Sequence, residues 1–355
     1  MIDKPLAMAN LAKFKEELNQ KPKLRSLFWE ATSSCNLSCK HCGSDCSTAP
    51  PVNLLTTTEI CNVFSQLAND FPPEGTMLYI TGGEPLLRPD LFQVMAHACN
   101  LGFVWGITTN GTLLTDKNIQ QMVDTNCKTL SISLDGLKET HDDLRGHVCF
   151  DEVIAGIKKL VASKAFAIVQ VTTVVHKKNI HQLDEIHQLL CAIGIDSWRL
   201  TNIDPIGRAN FSNGYFLDAE DFKYLLSFIK DYRQIPRGVP VSFGCSHFTT
   251  LEYERDIRNH YFCCGTGILT ASILHNGDIF VCPNVERRPD LIQGSIRTDR
   301  FADVWKNDFK AFRVRRDLTS PVCSTCEDAY FCMGDSTHTW DYDNKIPRLC
   351  LKKLL

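Results

Sequence analysis

The chain has 355 residues, 44% hydrophobic and 22% charged, enough to bury a sizeable core in one large domain or two unequal ones. A net charge of −3 supplies no basic field that would draw it to nucleic acid. Met1 to Arg25 lacks an apolar signal core, and the longest apolar tract, Ala165 to Val175, is interrupted by Gln170, so neither a secretory signal nor a membrane span is expected. The expectation is a cytoplasmic, reduced protein, in which the 17 cysteines serve as metal ligands more than as disulfides.

Residues Ala9 to Asn19 read as a short amphipathic helix ending near Pro22. From Leu24 onward β-rich runs alternate with helical patterns, as βα units do. The strands are expected at Arg25–Ala31, Met77–Thr81, Phe103–Thr109, Thr129–Leu134, Ala167–Val175 and Trp198–Asn202. The intervening helices are expected at Thr57–Asn69, Asp90–Asn100, Thr115–Asn126, Phe150–Ser163 and Ile180–Ile193. Six parallel strands with right-handed crossovers make an α/β fold, an incomplete TIM-like (β/α)6 barrel whose chemistry belongs at the carboxyl ends of its strands. Asp218–Arg233 follows as an amphipathic bridging helix, with Pro236, Gly238 and Pro240 behind it. The expected division is residues 1–23 as an N-terminal helix, 24–212 as the barrel, 213–260 as a bridge and 261–355 as a cysteine-rich unit.

The motifs fall at strand ends. After the first strand, Cys35-Asn-Leu-Ser-Cys39-Lys-His41-Cys42 sets three thiols on one short loop. Three thiolates can hold three irons of a cubane and leave the fourth open; the residues alone also allow a zinc knuckle. After the second strand comes Thr81-Gly82-Gly83-Glu84-Pro85, after the third Thr108-Thr109-Asn110-Gly111, and after the fourth Ser131-Ile-Ser133-Leu-Asp135-Gly136 followed by His141-Asp142-Asp143-Leu144-Arg145-Gly146. Side-chain oxygens at Thr109 and Asn110 suit ribose hydroxyls, and Glu84 suits an ammonium. His176, His181 and His187 show no ligand spacing and read as structural.

This series resembles the radical S-adenosylmethionine superfamily, with its three-cysteine loop, GGEP motif and SLDG segment. The resemblance implies a [4Fe-4S] cluster on Cys35, Cys39 and Cys42, the thiols central to catalysis, with S-adenosylmethionine on its open iron. It implies cofactor contacts from His41 near the adenine, from Gly82, Gly83, Glu84 and Pro85 at the amino group, and from Thr109, Asn110, Ser133 and Asp135. Arg145 is expected to pair with the cofactor's carboxylate or with substrate. The loop Asp204-Pro205-Ile206-Gly207-Arg208 resembles the family's last adenine-side loop.

From Cys245 on, thiols become dense. Cys264, Gly277 and Cys282 fit C-x12-G-x4-C around the turn Asn276-Gly277-Asp278, and Cys323-x2-Cys326-x5-Cys332 precedes Cys350. Cys323, Cys326, Cys332 and Cys350 make one four-thiol set, fit for an iron–sulfur cluster or for zinc. The arrangement resembles the SPASM extension of radical enzymes that modify peptides and proteins, which implies one or two auxiliary clusters, the second using Cys264 and Cys282. Two departures bear on that. The family's cysteine four places after Cys332 is Ser336 here, leaving Cys245, Cys263, Asp335 or Ser336 as substitute ligands, and the acid expected after Cys282 in sulfatase-maturing relatives is Pro283. Only some 34 residues precede Cys35, too few for a leader-peptide-binding domain.

The function implied is reductive cleavage of S-adenosylmethionine to a 5′-deoxyadenosyl radical. The radical would take hydrogen from a peptide or protein, giving a crosslink, oxidation or decarboxylation, so the chain is expected to be an oxidoreductase. Flavodoxin or ferredoxin is the expected electron donor. Two alternatives stand beside it: the same chemistry on a tetrapyrrole, and a non-catalytic iron–sulfur electron carrier.

Overall fold

A computed structural model describes residues 4–234, 238–244 and 247–355. Cys245 and Pro236 therefore lie outside the described residues. Seven parallel strands follow the chain in order: β1 Ser26–Thr32, β2 Met77–Gly82, β3 Val104–Thr109, β4 Cys127–Ser133, β5 Ile168–Val175, β6 Ser197–Asn202 and β7 Val241–Phe243. Helices cross between them: α1 Lys4–Gln20 leads in, then α2 Thr57–Asp70, α3 Leu91–Asn100, α4 Asp116–Asp124, α5 Lys138–Arg145, α6 Phe150–Ser163, α7 Leu183–Ile193 and α8 Ala219–Gln234. The expected partial barrel is present, with strand and helix ends within a few residues of their predicted positions.

Alternation explains why these runs are strands. In β5, Val169, Val171, Thr173 and Val175 point into the core while their neighbours do not, and branched side chains fit that pleated, half-buried surface. Trp29, Trp105 and Trp198 are fully buried beneath the helices. The Trp198 indole N–H donates to Thr173 Oγ1 at 2.8 Å, so the large ring is buried without stranding its donor.

Three features were not expected from the sequence. β7 adds a seventh parallel strand beside β6, from Trp198↔Val241 to Leu200↔Phe243, within the stretch expected as a bridge. α5 is a helix of charged residues, Lys-Glu-Thr-His-Asp-Asp-Leu-Arg, closed by Gly146 in the left-handed conformation at φ 68°. The cysteine-rich region also joins the barrel sheet. Strand β8 (Thr270–Ile273) pairs in parallel with β1 from Ser26↔Thr270 to Trp29↔Ile273. It then turns at Asn276-Gly277 into β9 (Asp278–Phe280), and β10 (Gly294–Ser295) completes that edge. The order is β10-β9-β8-β1-β2-β3-β4-β5-β6-β7, so the strand leading into the three-cysteine loop sits inside the sheet.

Arg88 ties this region together. Its guanidinium, 4% exposed, donates to Ala31 O at 2.9 Å and Leu55 O at 2.8 Å, pairs with Asp90 at 2.7 Å and lies 5.0 Å from the Trp29 ring. Arg88→Ala would strand two buried carbonyls, each costing roughly 1–3 kcal/mol. The expected outcome is a loss of about 3 kcal/mol in urea unfolding of the protein, with the far-UV spectrum of the native state unchanged.

Candidate active site

The β1–β2 register runs from Ser26↔Met77 to Glu30↔Thr81 and then slips, pairing Thr32 with Gly82. That irregularity turns β1 out of the sheet into the three-cysteine loop. Past it the two chains stay bonded: Gly83 N–H donates to Thr32 O at 2.8 Å and Glu84 N–H to Ser34 O at 2.9 Å. A Cβ on Gly83 would collide with the Ser34 carbonyl oxygen and crowd Cys35 N at 3.1 Å, so only glycine lets the second strand end lie against the cysteine loop. The far end of the loop is tied back by Cys35 N–H to Ser47 O at 2.7 Å.

This closure puts Cys35, Cys39 and Cys42 around one cavity of about 200 Å³. The same cavity is lined by His41, Gly82, Gly83, Thr109, Asn110, Ser133 and Arg145, contributed by the ends of the first four strands and by α5. Most of the residues expected at a cofactor therefore converge. Asn110 Nδ2 lies 3.8 Å from the Cys35 sulfur, and Arg145 Nη1 lies 3.6 Å from that of Cys39.

Glu84, Pro85 and Asp135 are placed differently from the expectation: they stand behind the wall. Glu84 is fully buried, and Oε1 accepts from Thr109 Oγ1 at 2.9 Å while Oε2 accepts from the Asn110 N–H at 2.8 Å. The carboxylate expected to take an ammonium instead braces the third strand's loop. Burial pushes it up to about 7, against the pull of those donors. Asp135, likewise fully buried, holds Arg145 Nη2 at 2.6 Å and accepts from Val174 N–H at 2.8 Å. It orients Arg145 and does not itself face the cavity.

Two buried atoms in the wall lack a protein partner: His41 Nδ1 and Arg145 Nε. Burial lowers His41 to about 4, with Asp135 opposing, so the ring is neutral near pH 7 and offers a nitrogen to a ligand. A soft trio of thiols, an arginine and orphaned nitrogen atoms suit an iron–sulfur cluster carrying a polar organic ligand. Not every cluster of ligating groups does so. His141, Asp142 and Cys149 also lie together, but Asp142 Oδ1 accepts from the Cys149 and Phe150 N–H groups at 2.9 Å each, capping α6, and His141 Nδ1 accepts from Asp135 N–H at 3.0 Å. His176 meets Tyr215 edge to face, and His187 packs between Trp198 and Tyr232.

In the C-terminal region, the Cys323 thiol feels Cys326, and the Cys332 and Cys350 thiols feel Cys350 and Cys323 respectively. Cys264 and Cys282 both act on the Tyr342 hydroxyl, as the β8–β9 hairpin requires. The Cys264 thiol contacts Thr337 Oγ1 at 3.1 Å and, despite burial, is brought down to about 7 by Arg316.

Three features of the site go beyond the sequence reading, which names Arg208 and Asp204 only within the loop likened to the adenine-side loop. Cys46 lines the same cavity as the first three thiols, and so does Arg208, whose Nε donates to Cys39 O at 2.9 Å. The third is a buried chain of acids and bases from the sixth strand's loop to the cysteine-rich unit. His338 Nε2 lies 3.1 Å from Asp204, His247 Nε2 lies 3.1 Å from the same carboxylate, and His247 Nδ1 lies 3.0 Å from Asp335. Burial works against the His247 charge, but the flanking acids hold it up to about 9. The signal for Cys46 was simply its place four residues after Cys42; the histidine chain had none, because its members are far apart in sequence.

Residues 29–190 match the family model of the Radical SAM superfamily, and residues 263–327 match that of the SPASM iron-sulfur cluster-binding domain. The chain is 30% identical over 332 residues to an AdoMet-dependent heme synthase of Oleidesulfovibrio alaskensis, covering 88% of this chain and 82% of that one. It is 28% identical to the mycofactocin maturase MftC of Mycobacterium tuberculosis, over 87% of this chain and 77% of the relative. Among solved structures, anSMEcpe with bound AdoMet superposes with a TM-score of 0.75 at 16% identity, covering 93% and 94% of the two chains, a likeness of fold. The chain therefore belongs to the radical SAM superfamily of iron–sulfur, S-adenosylmethionine-dependent enzymes. Within it, the C-terminal match makes it a SPASM-type member. Among the described residues no helix is long and apolar enough to cross a membrane.

Because Glu84 rises from its ordinary value of 4.5 to about 7, the folded protein binds a proton there that the unfolded chain has released. Stability from this group is full below about pH 4.5 and falls as pH climbs to about 7. Relative to Glu84→Gln, the cluster-free wild type is expected to lose about 3 kcal/mol between pH 4.5 and 8, at roughly 1.4 kcal/mol per pH unit. Paired urea titrations across that range measure it, and parallel curves would refute it.

Proposed function

We propose that Cys35, Cys39 and Cys42 hold the [4Fe-4S] cluster, and that the surrounding wall holds S-adenosylmethionine on its open iron. When bound, this pair supplies one-electron cleavage of the cofactor to methionine and a 5′-deoxyadenosyl radical. The observation that carries the reading is the single cavity into which three thiols, Arg145 and His41 converge from separate strand ends. Arg145 has two partners on one side, Asp135 and the Cys39 sulfur, which keeps its charge fixed beside the cluster for the cofactor's carboxylate. The Gly82-Gly83 edge takes the amino end, since the Glu84 carboxylate is engaged elsewhere; Thr109, Asn110, Ser133 and neutral His41 take the nucleoside.

Residues 24–212 then act as the catalytic barrel and 261–355 as the auxiliary unit, joined by 213–260 and preceded by the helix of 1–23. Cys323, Cys326, Cys332 and Cys350 hold one auxiliary cluster. Cys264 and Cys282 are candidates for a second, with Ser336 where a further thiol is expected. The substrate is a peptide or protein carbon at the barrel mouth, oxidised with the auxiliary cluster accepting the electron left behind, which makes the enzyme an oxidoreductase; flavodoxin or ferredoxin feeds the first cluster. The SPASM match and a maturase among the relatives support that choice. Pro283 stands where an acid is expected and cannot take a proton. A tetrapyrrole is the second reading, favoured by the 30% identity to a heme synthase.

Protein purified without oxygen, given dithionite and S-adenosylmethionine, should release 5′-deoxyadenosine, and the Cys35/Cys39/Cys42 triple alanine variant should release none and lose about four irons. An iron content in that variant equal to that of the wild type would sink the assignment. A porphyrin should leave the visible spectrum unshifted on titration, and small peptides encoded beside the gene should change mass on incubation. A saturable porphyrin shift with unmodified peptides would replace the first substrate reading by the second.

A further inference from the structure

Cys46 belongs to no motif recognised in the sequence, yet it completes a ring. Its side chain is 6% exposed, it hydrogen-bonds the Cys42 sulfur, and it lines the cavity with Cys35, Cys39 and Cys42. The backbone explains how a residue at the end of the loop returns to its beginning. Ser47, next in sequence, accepts the Cys35 N–H at 2.7 Å and forms a bridge with Ser34. Arg208 then fastens the loop's middle to its end, Nε donating to Cys39 O at 2.9 Å and Nη1 to Cys46 O at 2.7 Å. The same cavity holds Arg145, 7% exposed, with Nε unpartnered, so the wall is prepared for a ligand that is absent from the protein itself.

Four thiols are the full donor set of a cubane, one more than a cluster with an open iron requires. We propose that Cys46 is an exchangeable fourth ligand, its thiolate closing the open iron while S-adenosylmethionine is absent and yielding that iron when the cofactor binds. This rests on the assignment of the first cluster made above. The exchange balances without an electron: one Fe–S bond breaks, Fe–N and Fe–O bonds form, and the proton shed by the cofactor's ammonium passes to the freed Cys46 thiolate. A closed iron is shielded from oxidants, and the cofactor must compete with a tethered thiolate to reach it.

The test is Mössbauer spectroscopy of 57Fe-enriched full-length protein, with and without S-adenosylmethionine, for wild type and Cys46→Ala. The difference on adding S-adenosylmethionine isolates the cluster it touches from the auxiliary ones. In wild type the iron that responds to S-adenosylmethionine should be thiolate-ligated before addition and change to nitrogen and oxygen ligation after it. Cys46→Ala should already contain one non-thiolate iron without the cofactor, bind S-adenosylmethionine about tenfold more tightly in equilibrium dialysis, and convert to a three-iron form in air at least tenfold faster. If the iron that responds to S-adenosylmethionine is already non-thiolate in cofactor-free wild type, the proposal is overturned by that alone, even if the variant fails to hold a cluster. Should that happen while the Cys35/Cys39/Cys42 variant still loses about four irons, only Cys46 falls; if no cluster responds to S-adenosylmethionine, the assignment of the first site falls with it.

Discussion

The site depends on two strand ends lying closer than side chains normally permit. Gly83 and Ser34 touch backbone to backbone, and through that contact the hydrogen bonding between the two parallel strands continues past the register slip into the cysteine loop. A loop tethered only at its base would spread its thiols among many conformations, and a cubane would have to order them at an entropic cost. Here the cost is met on folding, by backbone hydrogen bonds at 2.7–2.9 Å on both flanks of Cys35. The strand β8 adds support from the other side of β1, so the cysteine-rich unit stiffens the barrel it serves.

Behind the cavity wall, polar groups are arranged in layers. Arg145 and the Thr109–Asn110 loop face inward, and each is held by a carboxylate with no exposure of its own, Asp135 and Glu84. The two buried acids differ in charge for a reason that geometry supplies. Asp135 also suffers burial, but the adjacent guanidinium pulls it below its ordinary range, whereas Glu84 has only neutral donors as direct partners and is pushed up. One is a fixed anion under an arginine; the other changes charge near pH 7.

Strand and helix positions were legible because branched residues at period two, and apolar residues at helical period, are forced by burial on one face. α5 was not, since its buried residues His141, Leu144 and Arg145 include only one apolar side chain and its other residues are polar. Nor was the pairing of β1 with β8: strands separated by more than two hundred residues leave no local trace of their contact. For the site, residue types at strand ends located the cavity, but not which way they face. Gly82-Gly83 and Glu84 are adjacent in the chain, yet the glycines line the cavity while the Glu84 carboxylate is held behind it by the Leu86 N–H, Thr109 Oγ1 and the Asn110 N–H. The thiols of Cys264 and Cys282 were brought near one hydroxyl, Tyr342, by a hairpin the Asn-Gly turn announced.

The auxiliary unit is joined to the barrel mouth by more than the sheet. Asp335 sits in the same segment as Cys332, its N–H directed to that sulfur at 3.1 Å, and its carboxylate accepts the Phe248 N–H at 2.8 Å and meets His247 Nδ1 at 3.0 Å. From His247 the hydrogen bonding continues to Asp204, at the end of the last full barrel strand, and to His338. Buried acids and imidazoles bound in this way keep their charges only as a set, because removing one leaves its neighbour unpaired in a low-dielectric interior. The consequence is mechanical as well as electrostatic. The segment that carries an auxiliary thiol and the loop after the sixth strand are therefore linked through a buried polar chain, and His247 of the bridging segment is its central member.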